Sequence, residues 1–416
     1  MKTYFTDLFD LSVGVRRMLF SEMFYGFGVG VFSMLLNLHL LALGVNEKEI
    51  GKVISIGGIA VGIACLPSVF FANYFGRKKI LSAGAILMAM GCLISGFSRE
   101  IWAFYLAQII LSCGVTFVIT TEIQLTFSYC RAKSEESKSY NLLFATYTLF
   151  VGIGTLAGGF LPRIISGFTS NYQGSLFCAA IALLLGGILR FFWLPRNENE
   201  IHAEKKNNFK SEDPQKGRRK QLVLFTFFAL LAGFTNGWVF NFLNIIVKFR
   251  LGWQDEMVSV LLSCHGFFLF AGSLAVPFLL SKWGVTKSFI LIFIINIILA
   301  LVLYTNLPFP FFVSFLLCRG GIALMLNNMI ASQSMSATEE TDRNLFAGLW
   351  SIAVNLGASI ATYFAGIILM DKNYFLPFLL TAITVTISFI YYFYWIKPIF
   401  LNISFKKNNT EANILE

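Results

Sequence analysis

The sequence predicts an all-α membrane protein in which twelve transmembrane helices form two pseudo-symmetric six-helix bundles. Hydrophobic residues occupy 56% of the 416 positions and charged residues only 13%, whereas soluble proteins carry about 25% charged residues. The hydrophobic residues gather into runs that are long enough to cross a bilayer as helices. A basic, polar stretch near the middle of the chain leaves six runs on either side, and the two sides resemble each other.

The predicted spans follow one another through short polar connections, apart from the central stretch. None shows the alternation of apolar and polar residues that is typical of a membrane β-strand, so each span is predicted as a helix. We place the spans at residues 18–43, 49–73, 79–98, 101–125, 140–162, 174–195, 221–248, 256–281, 286–306, 308–332, 344–370 and 374–396.

Positive charge predicts the orientation of these spans. Most of the 32 Lys and Arg residues fall in the N-terminal segment, in every second loop and in the central loop, to which we assign Arg190 as well as the stretch KNNFKSEDPQKGRRK. Because such residues collect on the cytoplasmic side, we expect a multi-pass protein of the plasma (inner cell) membrane with both termini in the cytoplasm. The net charge of +10 then reflects topology and contact with anionic lipid, and it predicts no nucleic-acid partner.

The sequence predicts no metal site, no cofactor and no enzyme. The seven cysteines lie in or beside spans, without a CxxC pair or a Cys/His cluster, as free thiols that pack as small hydrophobic side chains would. No Ser/His/Asp spacing and no nucleotide-binding loop is present, so we name no catalytic residues.

An internal repeat predicts how the spans are organised. SEESKSYNLLFATYTLFVGIG (134–154) resembles TEETDRNLFAGLWSIAVNLG (338–357), since each runs from an acidic loop through an Asn to a Gly thirteen residues later. We expect an N-terminal bundle at 1–195, a cytoplasmic linker at 196–220, and a C-terminal bundle and tail at 221–416. Duplicated six-helix halves are typical of carriers whose site lies near the middle of the membrane.

The loop after the second span, ANYFGRKKIL, resembles the GxxxDRxGRK signature of the major facilitator superfamily. Gly76, Arg77 and Lys78 match the end of that signature, while Asn73 stands where the family has an aspartate. The resemblance implies a secondary transporter that works by alternating access. It also implies a cytoplasmic gate loop containing these four residues, with a hydrogen-bonded latch at Asn73 in place of a charged one.

Two further spans bear on this resemblance. In the fourth span, QIILSCG has Gln108 where many family members have an arginine, so no arginine proton relay is implied there. In the fifth span, GTLAGG (154–159) resembles the GPxxGG pattern of antiporters and favours export. Close packing between helices is the alternative explanation of its small residues.

Few ionisable residues fall inside the spans. A charge at the centre of a bilayer costs about 2.5–3.5 kcal/mol on insertion scales, so such residues usually face a cavity or a partner. Arg319 is our first candidate, because its guanidinium fits a carboxylate or a phosphate. A structural arginine that binds helix carbonyls is the alternative. Glu22 is a possible partner of Arg319, and Glu122 and His265 are further candidate proton carriers.

The seventh span is rich in amides. Asn236, Asn241 and Asn244 occur within FTNGWVFNFLN, and the last two are three residues apart, which would place them on one face of a continuous helix. Together with Gln108 they would line a solute pathway. Hydrogen bonding between helices is the alternative.

We therefore predict a monomeric secondary transporter that moves a small organic solute by proton-coupled export. Proton-coupled uptake, flipping of lipid or glycolipid, and a non-transporting membrane receptor are the alternatives.

Overall fold

The computed structural model describes residues 11–131, 133–165, 167, 170–195, 216–339 and 342–401. These residues are almost entirely helical, and the described part of the chain contains no strand. Most of the predicted linker at 196–220 lies outside the described residues.

The described helices confirm the predicted all-α membrane fold. Eleven stretches are long and apolar enough to span a membrane. The helices are α1 (Val13–Ala42), α2 (Glu47–Phe75), α3 (Arg77–Phe97), α4 (Ile101–Ser128), α5 (Lys133–Ile164), α6 (Gln173–Trp193), α7 (Lys216–Gly237), α8 (Leu243–Leu251), α9 (Asp255–Tyr304), α10 (Phe309–Ala337), α11 (Arg343–Met370) and α12 (Leu376–Tyr391), which continues into a π-helix, Tyr392–Ile396.

Helix α9 contains two of the twelve predicted spans. It has 50 residues, which at about 1.5 Å per residue is far longer than the roughly 30 Å of bilayer hydrocarbon. Gly284 interrupts it with a non-helical backbone, at φ 72° and ψ 168°. This positive φ suits glycine, which has no Cβ. The predicted spans at 256–281 and 286–306 therefore meet at Gly284 rather than at a longer loop.

The helices form two units. Unit 1 comprises residues from 1–210 and 244–267, and unit 2 comprises residues from 211–243 and 268–416. The segment 244–267, which the sequence analysis places in the predicted C-terminal bundle, packs with unit 1.

In unit 1, glycines let α1 and α5 cross with their backbones nearly in contact. A Cβ added to Gly30 would collide with the carbonyl oxygen of Val151, and one added to Gly154 would collide with that of Phe27. The glycines of the fifth-span pattern therefore act in helix packing, as in other small-residue contacts between membrane helices.

The same crossing recurs in unit 2 between α7 and α11. A Cβ added to Gly233 would collide with the carbonyl oxygen of Val354, and one added to Gly357 would collide with that of Leu230. Each of these four residues lies 203 positions after its counterpart in unit 1. The internal repeat thus appears as one packing motif built twice.

Unit 2 has an aromatic core. Its rings stack on Tyr392, with centroids 4.6 Å away at Phe289 and 6.2 Å away at Phe228. We call this the aromatic cluster, and its members are Phe225, Phe228, Phe289, Phe293 and Tyr392.

Candidate functional site

Three charged side chains meet inside unit 1, and we call them the Arg190 triad. Arg190 of α6 donates through Nη2 to Oε2 of Glu22 in α1 and, at 2.8 Å, to Oε1 of Glu122 in α4. The Glu22 and Arg190 side chains are fully buried, and the Glu122 side chain is 16% exposed. One guanidinium therefore serves two carboxyl groups in the interior of the helix bundle.

Neighbouring groups position the guanidinium of Arg190. Its Nε donates to Oγ of Ser21 at 3.4 Å, and its Cζ lies 4.6 Å from the ring centroid of Tyr25. Tyr25 in turn stacks on Tyr147 of α5, with centroids 5.9 Å apart. The ring face supports the cation through its quadrupole. Two polar atoms of the triad, Oε1 of Glu22 and Nη1 of Arg190, are buried without a hydrogen-bond partner.

Sequence reasoning identified both glutamates but assigned Arg190 to the cytoplasmic loop. It also paired Glu22 with Arg319, whereas the arginine bound to Glu22 in the structure is Arg190. The assignment of Arg190 was wrong, because this residue lies three positions before the end of α6 and is fully buried. The available signal was its position inside the predicted span 174–195.

Arg319, the second buried arginine, has different surroundings. It lies on α10 with 6% of its surface exposed. Its Nε has no hydrogen-bond partner, and no ion pair involves it among the described residues. The helix carbonyls proposed as an alternative do not satisfy this Nε.

The predicted seventh span is not one continuous helix. Helix α7 ends at Gly237, a 3₁₀ turn covers Phe240–Phe242, and α8 begins at Leu243. The break lies at Trp238 and Val239, so Asn241 and Asn244 both follow it within one helical run, 240–251. Non-helical backbone at membrane depth needs hydrogen-bond partners from the protein, and the local side chains supply them.

Amide and hydroxyl side chains form hydrogen bonds on both sides of the break between α7 and α8. In unit 2, Asn241 donates to Oγ1 of Thr362 at 2.7 Å, and this hydroxyl donates to the carbonyl of Gly237 at 3.1 Å. In unit 1, Asn244 donates to the carbonyl of Met34 at 2.8 Å. It also accepts from Nδ2 of Asn37 at 3.1 Å. These contacts favour a structural role for both amides.

The remaining candidate side chains lie on α9, α4 and α7. His265 is buried on α9. Gln108 packs against α2, where a Cβ on Gly57 would lie 2.6 Å from its Cγ. Asn236 is half-buried near the end of α7.

A sequence model of the Major Facilitator Superfamily matches residues 18–244 and 225–411. The chain belongs to the Major Facilitator Superfamily. It is 25% identical over 317 residues to the class B tetracycline resistance protein of Escherichia coli, covering 70% of this chain and 74% of that protein. It is 29% identical over 171 residues to a D-xylose transporter of Levilactobacillus brevis, covering 40% and 36% of the two chains. The nucleoside transporter NupG has the same fold, with a TM-score of 0.72 at 14% identity over 91% of this chain and 98% of that one.

In this facilitator the predicted gate loop contacts the end of α6. Gly76 ends α2 at φ 90°, and Asn73 is exposed. Lys78 is buried and donates to the carbonyl of Leu194 at 2.5 Å. Arg17 donates to the carbonyl of Trp193 at 2.9 Å and Tyr129 to that of Pro195 at 3.1 Å. Three side chains therefore hold three successive carbonyls, at the last residue of α6 and the two residues after it, just before the predicted linker.

At the other end of unit 1, an ion pair joins the segment 244–267 to the first six helices of the facilitator. Arg163 of α5 pairs with Glu256. Within the segment, Lys248 pairs with Asp255 at 2.6 Å. Tyr172 donates to Asp255 at 2.7 Å. Burial, together with this hydrogen bond, raises the pKa of Tyr172. These residues line a pocket of about 360 Å³.

Proposed function

We propose that this facilitator is a proton-coupled exporter of small organic solutes in the plasma membrane, with both termini in the cytoplasm and no catalytic activity. The observation that carries the proposal is the Arg190 triad. It supplies a buried, titratable group on three helices of one unit, which is what coupling a proton to alternating access requires.

The charge balance of the triad supports proton binding. A single guanidinium neutralises one carboxylate, so two ionised glutamates would leave a net negative charge in an apolar interior. We assign the compensating proton to one of the two carboxyl groups. Glu22 Oε1 accepts no hydrogen bond, so a proton on this atom displaces none. Glu122 is the more exposed of the two, and we assign to it the exchange of this proton with water.

The likeness to a tetracycline resistance protein supports export, because a membrane carrier confers resistance by removing the drug. That likeness covers 70% of this chain, against 40% for the D-xylose transporter. Proton-coupled uptake of a sugar is the second candidate. The fifth-span glycines do not decide between the two, because helix packing accounts for them.

Proton exchange in everted vesicles tests the proposal. A pH gradient, acidic inside, is imposed across the vesicle membrane and followed with an acridine dye. A panel of drugs, sugars and nucleosides is then added. We expect at least one compound to release the gradient through the unaltered protein. Glu22→Gln and Glu122→Gln should each abolish this release, while Asp371→Asn, at an exposed carboxylate, should leave it unchanged. Solute flux that persists in both glutamine variants, without proton movement, would overturn the coupling.

A further inference from the structure

We propose that Arg319 binds an anionic group of the transported solute, a carboxylate or a phosphate. This inference rests on the proposed transport function and names the class of substrate. It also assigns a separate task to each buried arginine, with Arg190 serving the proton-binding glutamates and Arg319 serving the solute.

The position of Arg319 requires a partner. The residue lies ten positions after the start of α10 and eighteen before its end, or about 15 Å and 27 Å along the helix. With 6% of its surface exposed, it faces protein rather than lipid tails. A guanidinium so far from both ends of its helix cannot easily extend to either membrane surface.

Unit 2 contains no carboxylate that could serve as this partner from within its helices. The sequence has no Asp or Glu at 216–338, apart from the segment 244–267 of unit 1, and none at 343–370 or 372–401. The described acids of unit 2 are Glu339, Asp342 and Asp371, and all three lie at helix ends. Among the described residues, no carboxylate within the helices of unit 2 therefore compensates the positive charge of Arg319.

An unsatisfied donor on Arg319 also favours an acceptor ligand. Its Nε is buried without an acceptor among the described residues. A carboxylate or a phosphate would supply acceptor oxygens and the missing negative charge together. A guanidinium binds such groups through two parallel hydrogen bonds, so the solute would be oriented as well as attracted.

The backbone around Arg319 is fixed by close packing. A Cβ on Gly321 would lie 2.8 Å from the carbonyl oxygen of Phe268, so α10 and α9 approach closely two residues after the arginine. Close packing of this kind holds a helix in place. Arg319 is thus presented from a rigid part of unit 2.

Stability without ligand is the first test. Removing an uncompensated buried charge should stabilise a protein, whereas removing a paired one should destabilise it. In purified protein without added solute, we expect Arg319→Gln to raise the melting temperature by a few degrees. Arg190→Gln is the matched control, at an equally buried arginine with two partners, and should lower it. A fall in both variants would mean that Arg319 has a structural partner, and the proposal would be wrong.

Matched probes are the second test. Each pair consists of an anion and its uncharged counterpart: benzoate and benzamide, glucose 6-phosphate and glucose, uridine monophosphate and uridine. Thermal stabilisation by each compound is measured in lipid-free detergent and again with added anionic lipid. The charged member of at least one pair should stabilise the unaltered protein. It should also stabilise the control variant Lys282→Gln, which removes an exposed cation. Arg319→Gln should weaken that binding about 10- to 100-fold, the value of a charge-assisted contact. Equal behaviour within all three pairs, or stabilisation by lipid alone, would overturn the proposal.

The two proposals can fail separately. Anion binding through Arg319 without proton release in vesicles would refute the coupling and leave this inference standing. Proton exchange driven only by uncharged or cationic solutes would refute this inference and leave the coupling standing.

Discussion

Arg190 binds its partners in a way that a lysine cannot reproduce. The guanidinium donates to two carboxyl groups and a hydroxyl from one plane while its carbon lies over the ring of Tyr25. An ammonium is a compact point charge without this planar set of donors. Exchange of Arg190 for Lys would therefore keep the charge but lose the simultaneous contact with α1 and α4.

Removal of the guanidinium should destabilise unit 1 strongly. We expect Arg190→Gln to lower the free energy of unfolding by about 3–5 kcal/mol, because the negative charge that the two carboxyl groups share loses its cation. Adding Glu22→Gln leaves one carboxyl group, which can hold the proton alone, and should recover part of the loss. Thermal melts of the two single variants and the double variant measure the coupling between them. Additive losses would show that the two side chains do not interact.

The sequence predicts buried glutamates more readily than it predicts their partner. Glu22 and Glu122 stand out because acidic residues are rare inside the spans. Arg190 lies near a span end and is followed by many basic residues of the linker, so charge statistics assign it to the cytoplasm. Only the packing of α6 against α1, together with the hydrogen bond from Arg190 to Glu122 of α4, distinguishes it from its basic neighbours.

The crossing of α1 with α5 depends on glycine at particular positions of α5 rather than on glycine in general. A Cβ on Gly154 would collide with backbone, whereas one on Gly152 would meet nothing within 4 Å. The two glycines lie on different faces of the same helix. Backbone atoms cannot move aside as side chains can, so the collision at Gly154 must separate the helices.

Alanine substitution should distinguish glycines at a helix crossing, such as Gly154, from a glycine with open space around it, Gly152. Gly154→Ala should lower the melting temperature by several degrees, and Gly357→Ala should do the same in unit 2. Gly152→Ala should leave it unchanged or raise it slightly, because alanine favours the helix by about 1 kcal/mol over glycine. Melting temperatures of purified protein in detergent check this. Equal effects at Gly152 and Gly154 would contradict the described crossing.

The break between α7 and α8 is a feature that hydropathy does not predict. The residues on both sides of Gly237 are apolar enough for a span, so a continuous helix at 221–248 is expected from composition alone. The break is stabilised by Thr362 of α11 and by Met34 and Asn37 of α1. These partners are distant in sequence from the break, so the residues around Gly237 alone do not predict it.

At the scale of the whole molecule, the two repeats share a frame but differ in charge. The offset of 203 residues that relates the glycine crossings places Phe225 where unit 1 has Glu22, and Phe228 where it has Tyr25. Both phenylalanines belong to the aromatic cluster. One repeat therefore has an ionic interior where the other has an aromatic one, although their backbones cross in the same way.

The segment 244–267 has to leave the first six helices if the protein alternates access as proposed. A reversible bifunctional thiol reagent that links Arg163→Cys to Glu256→Cys should stop proton exchange in vesicles, and dithiothreitol should restore it. Each single cysteine variant treated in the same way is the control, since native thiols such as Cys264 are exposed. Undiminished exchange in the linked protein would show that this contact does not open during transport.

The anchoring of α6 determines where a probe of motion should be attached. Arg17, Lys78 and Tyr129 come from three separate parts of unit 1 and hold three successive carbonyls up to Pro195. A fluorophore or spin label attached at this point would have little freedom of its own relative to these helices. Its signal would therefore report the displacement of the helices that hold α6, and distance changes to a second label could be interpreted without correction for local tumbling.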